Sequence, residues 1–282
     1  MNRISPLISV SELKERLQDK DLIILDARAG KDAYQEYLKG HIRGARFIDL
    51  DKDLADAEED AAFGGRHPLP GTEKFGETLS RLGILENSHI IIYDDKSGAN
   101  AAARTWWMLK AFGFRKVQVL DGGIQSAEKN GFEFSSGEEL YNKTSPIKRD
   151  AWLLPISGIE QVEDELKNNS STVIDVRDAY RYRGESEPID LVAGHIPGAI
   201  NIPFSENLDE NGNFLSPEIL REKYLKYLEN KPGKLIIHCG SGVTACHTIL
   251  ALDYAGFEIP DLYVGSWSEW SRRPGKKIAK DV

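Results

Sequence analysis

The sequence predicts an α/β protein made of two tandem copies of one domain, each a mainly parallel sheet flanked by helices. Two observations predict it: short β-rich apolar runs alternate with helical patterns, and one series of motifs occurs twice in the same order. The 282 residues suffice for one large domain or two ordinary ones, and copies of about 130 residues are of ordinary size.

Taken in order, LIIL (22–25) reads as a strand and KDAYQEYL (31–38) as a helix. EKFGETLSRLG (73–83) is helical, HIIIY (89–93) a strand, ARTWWMLKAF (103–112) a helix and KVQVL (116–120) a strand. IILDAR at 23–28 is answered by VIDVR at 173–177, and GHIRGARFIDL at 40–50 by GHIPGAINIPF at 194–204. HIIIYDD at 89–95 pairs with KLIIHCG at 234–240, and AFGFRKVQVLDGG at 111–123 with YAGFEIPDLYVGS at 254–266. The stretch EFSSGEELYNKTSPIKRDAW is polar and lacks periodicity. The expected organisation is therefore a first domain at 1–135, a linker at 136–150 and a second domain at 151–282.

Composition narrows the function. A hydrophobic fraction of 40% and a charged fraction of 29% are those of a soluble globular protein. The formal charge of −9 argues against a nucleic-acid partner, and the basic tail RRPGKKIAK reads as a solvated terminus. The first residues lack a signal-peptide core and no apolar run is long enough to span a bilayer, so no membrane association and a cytoplasmic location are expected. The only cysteines, Cys239 and Cys246, exclude a disulfide framework and a multi-cysteine zinc site.

Cys239 stands where the strand LIIH hands over to a helix beginning near Val243, the sheet edge at which open α/β folds gather ligands. In CGSGVTA, Gly240 and Gly242 are expected to adopt positive φ, curling backbone N–H groups around one point. The following helix adds unpaired N–H donors and the positive end of its dipole, and Ser241 and Thr244 add hydroxyls. Such a cradle binds an anion and stabilises a thiolate. Cys246, inside the helix, reads as core. His238-Cys239 opens the pattern HC-x5-R of cysteine phosphatases, but Ala245 occupies the arginine position that would grip a phosphoryl group. Sulfur transfer, in which a softer sulfane sulfur is held as a persulfide, fits the loop better.

CGSGVT, the paired GHIRGA and GHIPGA, and the closing GSWSEW are similar to signatures of the rhodanese-like sulfurtransferases in their two-domain form. The loop resembles that of 3-mercaptopyruvate sulfurtransferases, and the likeness runs over roughly residues 8 to 275. The resemblance implies catalysis in the second domain alone. The repeat agrees, since it sets Asp94 opposite Cys239 and a carboxylate cannot carry sulfur. The first copy is expected to pack against the second and help wall its site.

Residue by residue, the resemblance makes Cys239 the nucleophile and Gly240, Ser241, Gly242, Val243 and Thr244 its loop, with Ser241 taking part in catalysis. It makes Arg181 a contact for the substrate carboxylate, with Arg183 as a substitute; the alternative for either is an ion pair with Glu185 or Glu187. His41 matches a position that relays protons with the loop serine, or else bridges two turns like its repeat partner His195. Arg66 and His67, in FGGRHPLPG, line the substrate side of the domain interface or serve only the loop. Mercaptopyruvate enzymes usually carry a second arginine ahead of GHIPGA, within a run like EPxPRxG. Here ESEPIDLVAGHIPGA has none after Arg183. The expected reaction moves a sulfane sulfur from a small anionic donor, 3-mercaptopyruvate or thiosulfate, through a Cys239 persulfide to an acceptor. The acceptor is cyanide or a thiol, such as a thioredoxin-like protein or a low-molecular-weight thiol, and no metal or organic cofactor is implied. The alternative is a persulfide carrier with little turnover of small donors.

Overall fold

The two long apolar strands of each copy lie side by side at the centre of a parallel sheet. A computed structural model describes residues 4–57 and 59–281, which divide into two units. Unit 1 comprises 1–55, 70–153 and 210–213; unit 2 comprises 56–69, 154–209 and 214–282.

Unit 1 runs β1 (Leu7–Ile8), α1 (Val10–Arg16), β2 (Leu22–Asp26), α2 (Ala33–Lys39), β3 (His41–Ile42), β4 (Arg46–Phe47), α3 (Thr72–Arg81), β5 (His89–Tyr93), α4 (Ala102–Ala111), β6 (Val117–Leu120), α5 (Gly123–Lys129) and β7 (Phe134–Ser135). Its sheet has the order β1-β6-β5-β2-β4, every pair parallel, and β3 pairs with β7 antiparallel. All five residues of β5 are buried, as expected of a strand covered on both faces. Ile8, Leu13, Ile24, Ile91, Leu120 and Ile124 pack together as core.

Unit 2 runs α6 (Ile159–Lys167), β8 (Ser171–Asp175), α7 (Ala179–Arg183), β9 (Ile200–Asn201), a 3₁₀ turn (Phe204–Asn207), α8 (Pro217–Tyr227), β10 (Lys234–His238), α9 (Thr244–Tyr254), β11 (Asp261–Leu262) and α10 (Ser266–Trp270). Its sheet order is β11-β10-β8-β9, again parallel throughout. Val162, Val173, Ile196, Ile236, Tyr263 and Trp267 form core on one side. α8 starts where Ser216 caps Ile219 N–H and Pro217 needs no partner for its nitrogen.

The repeated motifs prove to be a repeated joint. Arg28 grips Asp26, with Nη2 2.6 Å from Oδ2, and donates from Nη2 to the Gly40 carbonyl at 2.8 Å. Arg177 does the same with Asp175 (2.6 Å) and the Gly194 carbonyl (2.7 Å). The histidines of GHI complete each joint. His41 Nδ1 lies 2.8 Å from the Tyr37 carbonyl and its ring stacks on Tyr37; His195 repeats both contacts with Tyr182.

Two stretches lie elsewhere than the repeat suggests. Residues 136–150, read as a linker, pack along unit 1: Thr144 donates its N–H to Ser80 O and its hydroxyl to Ile84 O, and Glu139 accepts the Gly44 N–H. Thr144 and Glu139 thus use their polar side chains on backbone groups of unit 1. Residues 56–69, assigned by sequence to the first domain, belong to unit 2. No described helix is long and apolar enough to cross a membrane.

Candidate active site

Cys239 directly follows β10, the strand held between β8 and β11, and is 1% exposed. Its backbone is fixed by the start of α10. Cys239 N–H donates to Ser266 Oγ (3.1 Å), the Cys239 carbonyl accepts from Trp267 N–H (3.0 Å), and the Gly240 carbonyl accepts from Ser268 N–H (2.8 Å). Ser266 stands at φ +54°, a left-handed conformation unusual for a residue with a Cβ, and its hydroxyl also donates to Tyr263 O. The matching residue of unit 1 is Gly123, at φ +59°. A serine at this position supplies the Cys239 N–H with a hydroxyl acceptor that a glycine lacks. Gly242 takes the left-handed turn (φ +73°) that leads into α9. Gly240 departs from the expectation and keeps an ordinary φ. Its small size matters instead, since a Cβ there would stand 3.1 Å from Arg66 Nη2. Val243 is buried in the loop and Thr244 opens the helix. Cys246 is buried within α9, its Sγ 3.4 Å from the Gly242 carbonyl.

The sister loop of unit 1 displays what such a strand-to-helix passage can hold. Asp94 Oδ1 accepts the N–H groups of Lys96 (2.9 Å) and Gly98 (2.8 Å), and Oδ2 those of Asn100 and Ala102 (3.1 Å each). The first copy is thus an anion cradle filled by its own carboxylate. Burial pushes that carboxyl up to about 6, against the pull of its N–H donors.

The histidine beside Ser241 is His67, not His41. His67 Nδ1 lies 2.7 Å from Ser241 Oγ, whereas His41 bonds Tyr37 O and Glu139 within unit 1. The loop carrying Arg66 and His67 is clamped by GSWSEW. Gly64 N–H donates to Glu269 Oε1 (3.1 Å) and Arg66 N–H to Ser268 Oγ (3.1 Å). Gly65, at φ +81°, comes so close that a Cβ would collide with the Gly265 carbonyl and lie 2.8 Å from Ser268 Oγ.

The two candidate arginines part company. Arg183 Nε pairs with Glu185 at 2.6 Å and its side chain is 44% exposed, the surface-pair alternative. Arg181 is buried, and its Nη2 lies 3.6 Å from where a Gly240 Cβ would be. It chelates Glu187, with Nη2 2.7 Å from Oε1. Burial works against ionisation of Glu187, but Arg181 and the N–H groups of Asp190 and Ile189 hold its carboxyl below the ordinary value. Next to Cys239 in the chain, burial pushes His238 below its usual range, with Asp175 Oδ2 3.8 Å from Nε2. Asp190, which the sequence reading passed over, accepts from Arg66 and Arg272. Its signal was available: an acid in the run that resembles an arginine-bearing one.

Comparison with known proteins identifies the family. The rhodanese-like domain family matches residues 9–130 and 159–273. A probable 3-mercaptopyruvate sulfurtransferase of Pseudomonas aeruginosa is 41% identical, with 97% of each chain covered. A putative thiosulfate sulfurtransferase, SseB of Mycobacterium tuberculosis, is 35% identical over 97% of this chain and 96% of that protein. The crystal structure of SseA, a 3-mercaptopyruvate sulfotransferase of Escherichia coli, superposes with a TM-score of 0.77 at 30% identity, covering 94% of this chain and all of the other. The chain belongs to the rhodanese-like family, as a two-domain sulfurtransferase.

Proposed function

We propose that the protein moves a sulfane sulfur from a small anionic donor to a thiol or cyanide through a persulfide on Cys239. The observation that carries this reading is the placement of one buried thiol at a strand end, with the His67–Ser241 pair and the Arg181 guanidinium against the same loop.

The Cys239 thiolate attacks the donor sulfur. With 3-mercaptopyruvate the carbon–sulfur bond breaks and its electron pair becomes the enolate of pyruvate, which takes up a proton. Cys239 then carries S–SH. With thiosulfate the sulfur–sulfur bond breaks and sulfite departs with the pair. Ser241 and His67 form the route by which a proton reaches or leaves the reacting atoms. In the second half-reaction an acceptor thiolate or cyanide attacks the outer sulfur, and Cys239 leaves as thiolate. This is covalent catalysis with ping-pong kinetics.

Unit 1, with Asp94 where the thiol would be, is catalytically silent. The acceptor is a low-molecular-weight thiol or a thioredoxin-like protein. A reducing compartment such as the cytoplasm suits two free cysteines. The names of the relatives leave both donors in play, so the test is steady-state kinetics with 3-mercaptopyruvate and with thiosulfate. Turnover of at least one donor is expected, with a loss of about 10³-fold or more in Cys239→Ser. Persulfide formation on Cys239 without turnover of either donor would replace this reading with that of a carrier.

A further inference from the structure

The wall beside Gly240 holds more positive charge than one ion pair requires. Three guanidinium groups arrive from three segments: Arg66 from the 56–69 loop, Arg181 from α7, and Arg272 from the turn after α10. All three meet one carboxylate, Asp190, whose side chain is 0% exposed. Arg66 Nε lies 3.1 Å and Arg272 Nη1 2.9 Å from Oδ1; Arg66 Nη2 lies 3.4 Å and Arg181 Nη2 3.5 Å from Oδ2. The cluster abuts the nucleophile loop. A Cβ on Gly240 would be 3.1 Å from Arg66 Nη2, 3.6 Å from Arg181 Nη2 and 3.7 Å from Asp190 Oδ2.

Local structure aims this acid inward. Ile189 and Leu191 on either side of Asp190 are exposed, and the Val192 carbonyl accepts from Trp267 Nε1 at 2.8 Å, tying the segment to α10. Asp190 N–H donates to Glu187 Oε1 at 3.0 Å, so the acid rides on the carboxylate that already occupies Arg181. Among the described residues Arg66 and Arg272 have no such second acid, since their side-chain carboxylate contacts are to Asp190. Both remain partly open to solvent, at 28% and 16%. Guanidinium groups converging on a carboxylate make a receptor for a planar anion. Here the receptor is filled by the protein itself, against the residue that follows Cys239 in the chain.

We propose that Asp190 is an internal stand-in for the donor's anionic group, and that Arg66 and Arg272 are the cations that select the donor. In the free enzyme Asp190 keeps the two guanidinium groups converged beside Gly240. An incoming carboxylate or sulfonate competes with it for them, so Asp190 sets how much of their field the donor meets. The inference rests on the reading of Cys239 as a nucleophile toward anionic donors. It supplies, from other segments, the charge that the missing arginine ahead of GHIPGA would have carried.

The test is the rate of alkylation of Cys239 by iodoacetate and by iodoacetamide, which share a reacting carbon and a leaving group and differ in charge. Mass spectrometry separates the Cys239 product from any at Cys246. In Asp190→Asn the ratio of iodoacetate to iodoacetamide rate constants should rise about 5-fold, the size expected of one partly screened charge near the site. In Arg272→Gln and Arg66→Gln it should fall by a similar factor. KM for the anionic donor should follow the same order. Unchanged ratios in all three variants would overturn the proposal, and so would a fall in Asp190→Asn, which would make the acid a mere prop. Should Asp190→Asn fail to fold, the two arginine variants decide the matter. Alkylation needs no sulfur transfer, so the two readings fail separately. Ratios that move while neither donor turns over would spare the anion selector and sink the sulfur-transfer reading. Turnover with immobile ratios would do the reverse.

Discussion

Two hydroxyls beside Cys239 do different work, and substitution should separate them. Ser241 shares a hydrogen bond with His67, so Ser241→Ala and His67→Gln should each lower kcat roughly 10²-fold, with little further loss in the double variant. Additive losses in a double-mutant cycle would dismantle the relay. Ser266 acts on the backbone instead. Its left-handed φ costs about 1–2 kcal/mol, and its Oγ satisfies a buried N–H whose loss costs a comparable ~1–3 kcal/mol. Ser266→Gly should therefore leave the unfolding free energy in urea within about 1 kcal/mol of wild type. Its kcat should nonetheless fall, because the Cys239 N–H is released. Asp94 provides a pH signature. Its folded carboxyl, at about 6, lies above the ordinary 3.8, so its contribution to stability is complete below the lower value and disappears as pH rises through the upper one. Denaturant unfolding between these values should show a flatter pH dependence in Asp94→Asn than in wild type; parallel curves would mean that the acid titrates normally.

Among the elements, the contact between α10 and the 56–69 loop is the one that holds His67 beside Ser241. Gly65→Ala meets both a left-handed φ and the Gly265 carbonyl, so the loop must shift and carry His67 off Ser241. A loss of kcat/KM of about 10²-fold is expected, of the order seen when a reacting group is displaced by about 1 Å. Unaltered kinetics would show that the clamp is dispensable. This contact also marks the limit of sequence reading. Strands β2, β5, β6 and β10 were legible because each is a short apolar run bounded by polar residues, and the duplication was legible because its joints reuse the same Asp, Arg and His. Cys239 was legible from local chemistry alone. The pairing of Ser241 with His67 was not, because these residues are far apart in sequence and the family resemblance pointed to His41, which occupies a structural joint. Likewise, positive φ at Gly242 followed from the turn, but the reason for Gly240 lay in Arg66, on a segment that no local pattern connects with it. Asp190 escaped notice because a missing arginine was read as an absence rather than as a reversed charge.

For the molecule as a whole, duplication has produced one loop that carries a buried thiol and one cradle filled by a carboxylate. The difference is more than one residue deep: where α7 supplies Arg181, the corresponding turn of α2 has Gln35, and Gly123 stands in place of Ser266. Asp94→Cys in a Cys239→Ser background should therefore remain at the level of Cys239→Ser alone. Recovery to even about a hundredth of wild-type turnover, of the order left by losing one acid–base group, would show that the cradle alone suffices. The exchange of residues 56–69 into unit 2 also sets a timetable for synthesis. The segment bearing Arg66 and His67 leaves the ribosome well before the GSWSEW segment that clamps it, a wait of roughly 10 to 40 seconds at ordinary elongation rates. Until that stretch emerges, the N–H groups of Gly64 and Arg66 lack the Glu269 and Ser268 side chains that receive them. The loop that carries Arg66 and His67 thus gains its clamp only after every strand of unit 2 has been synthesised.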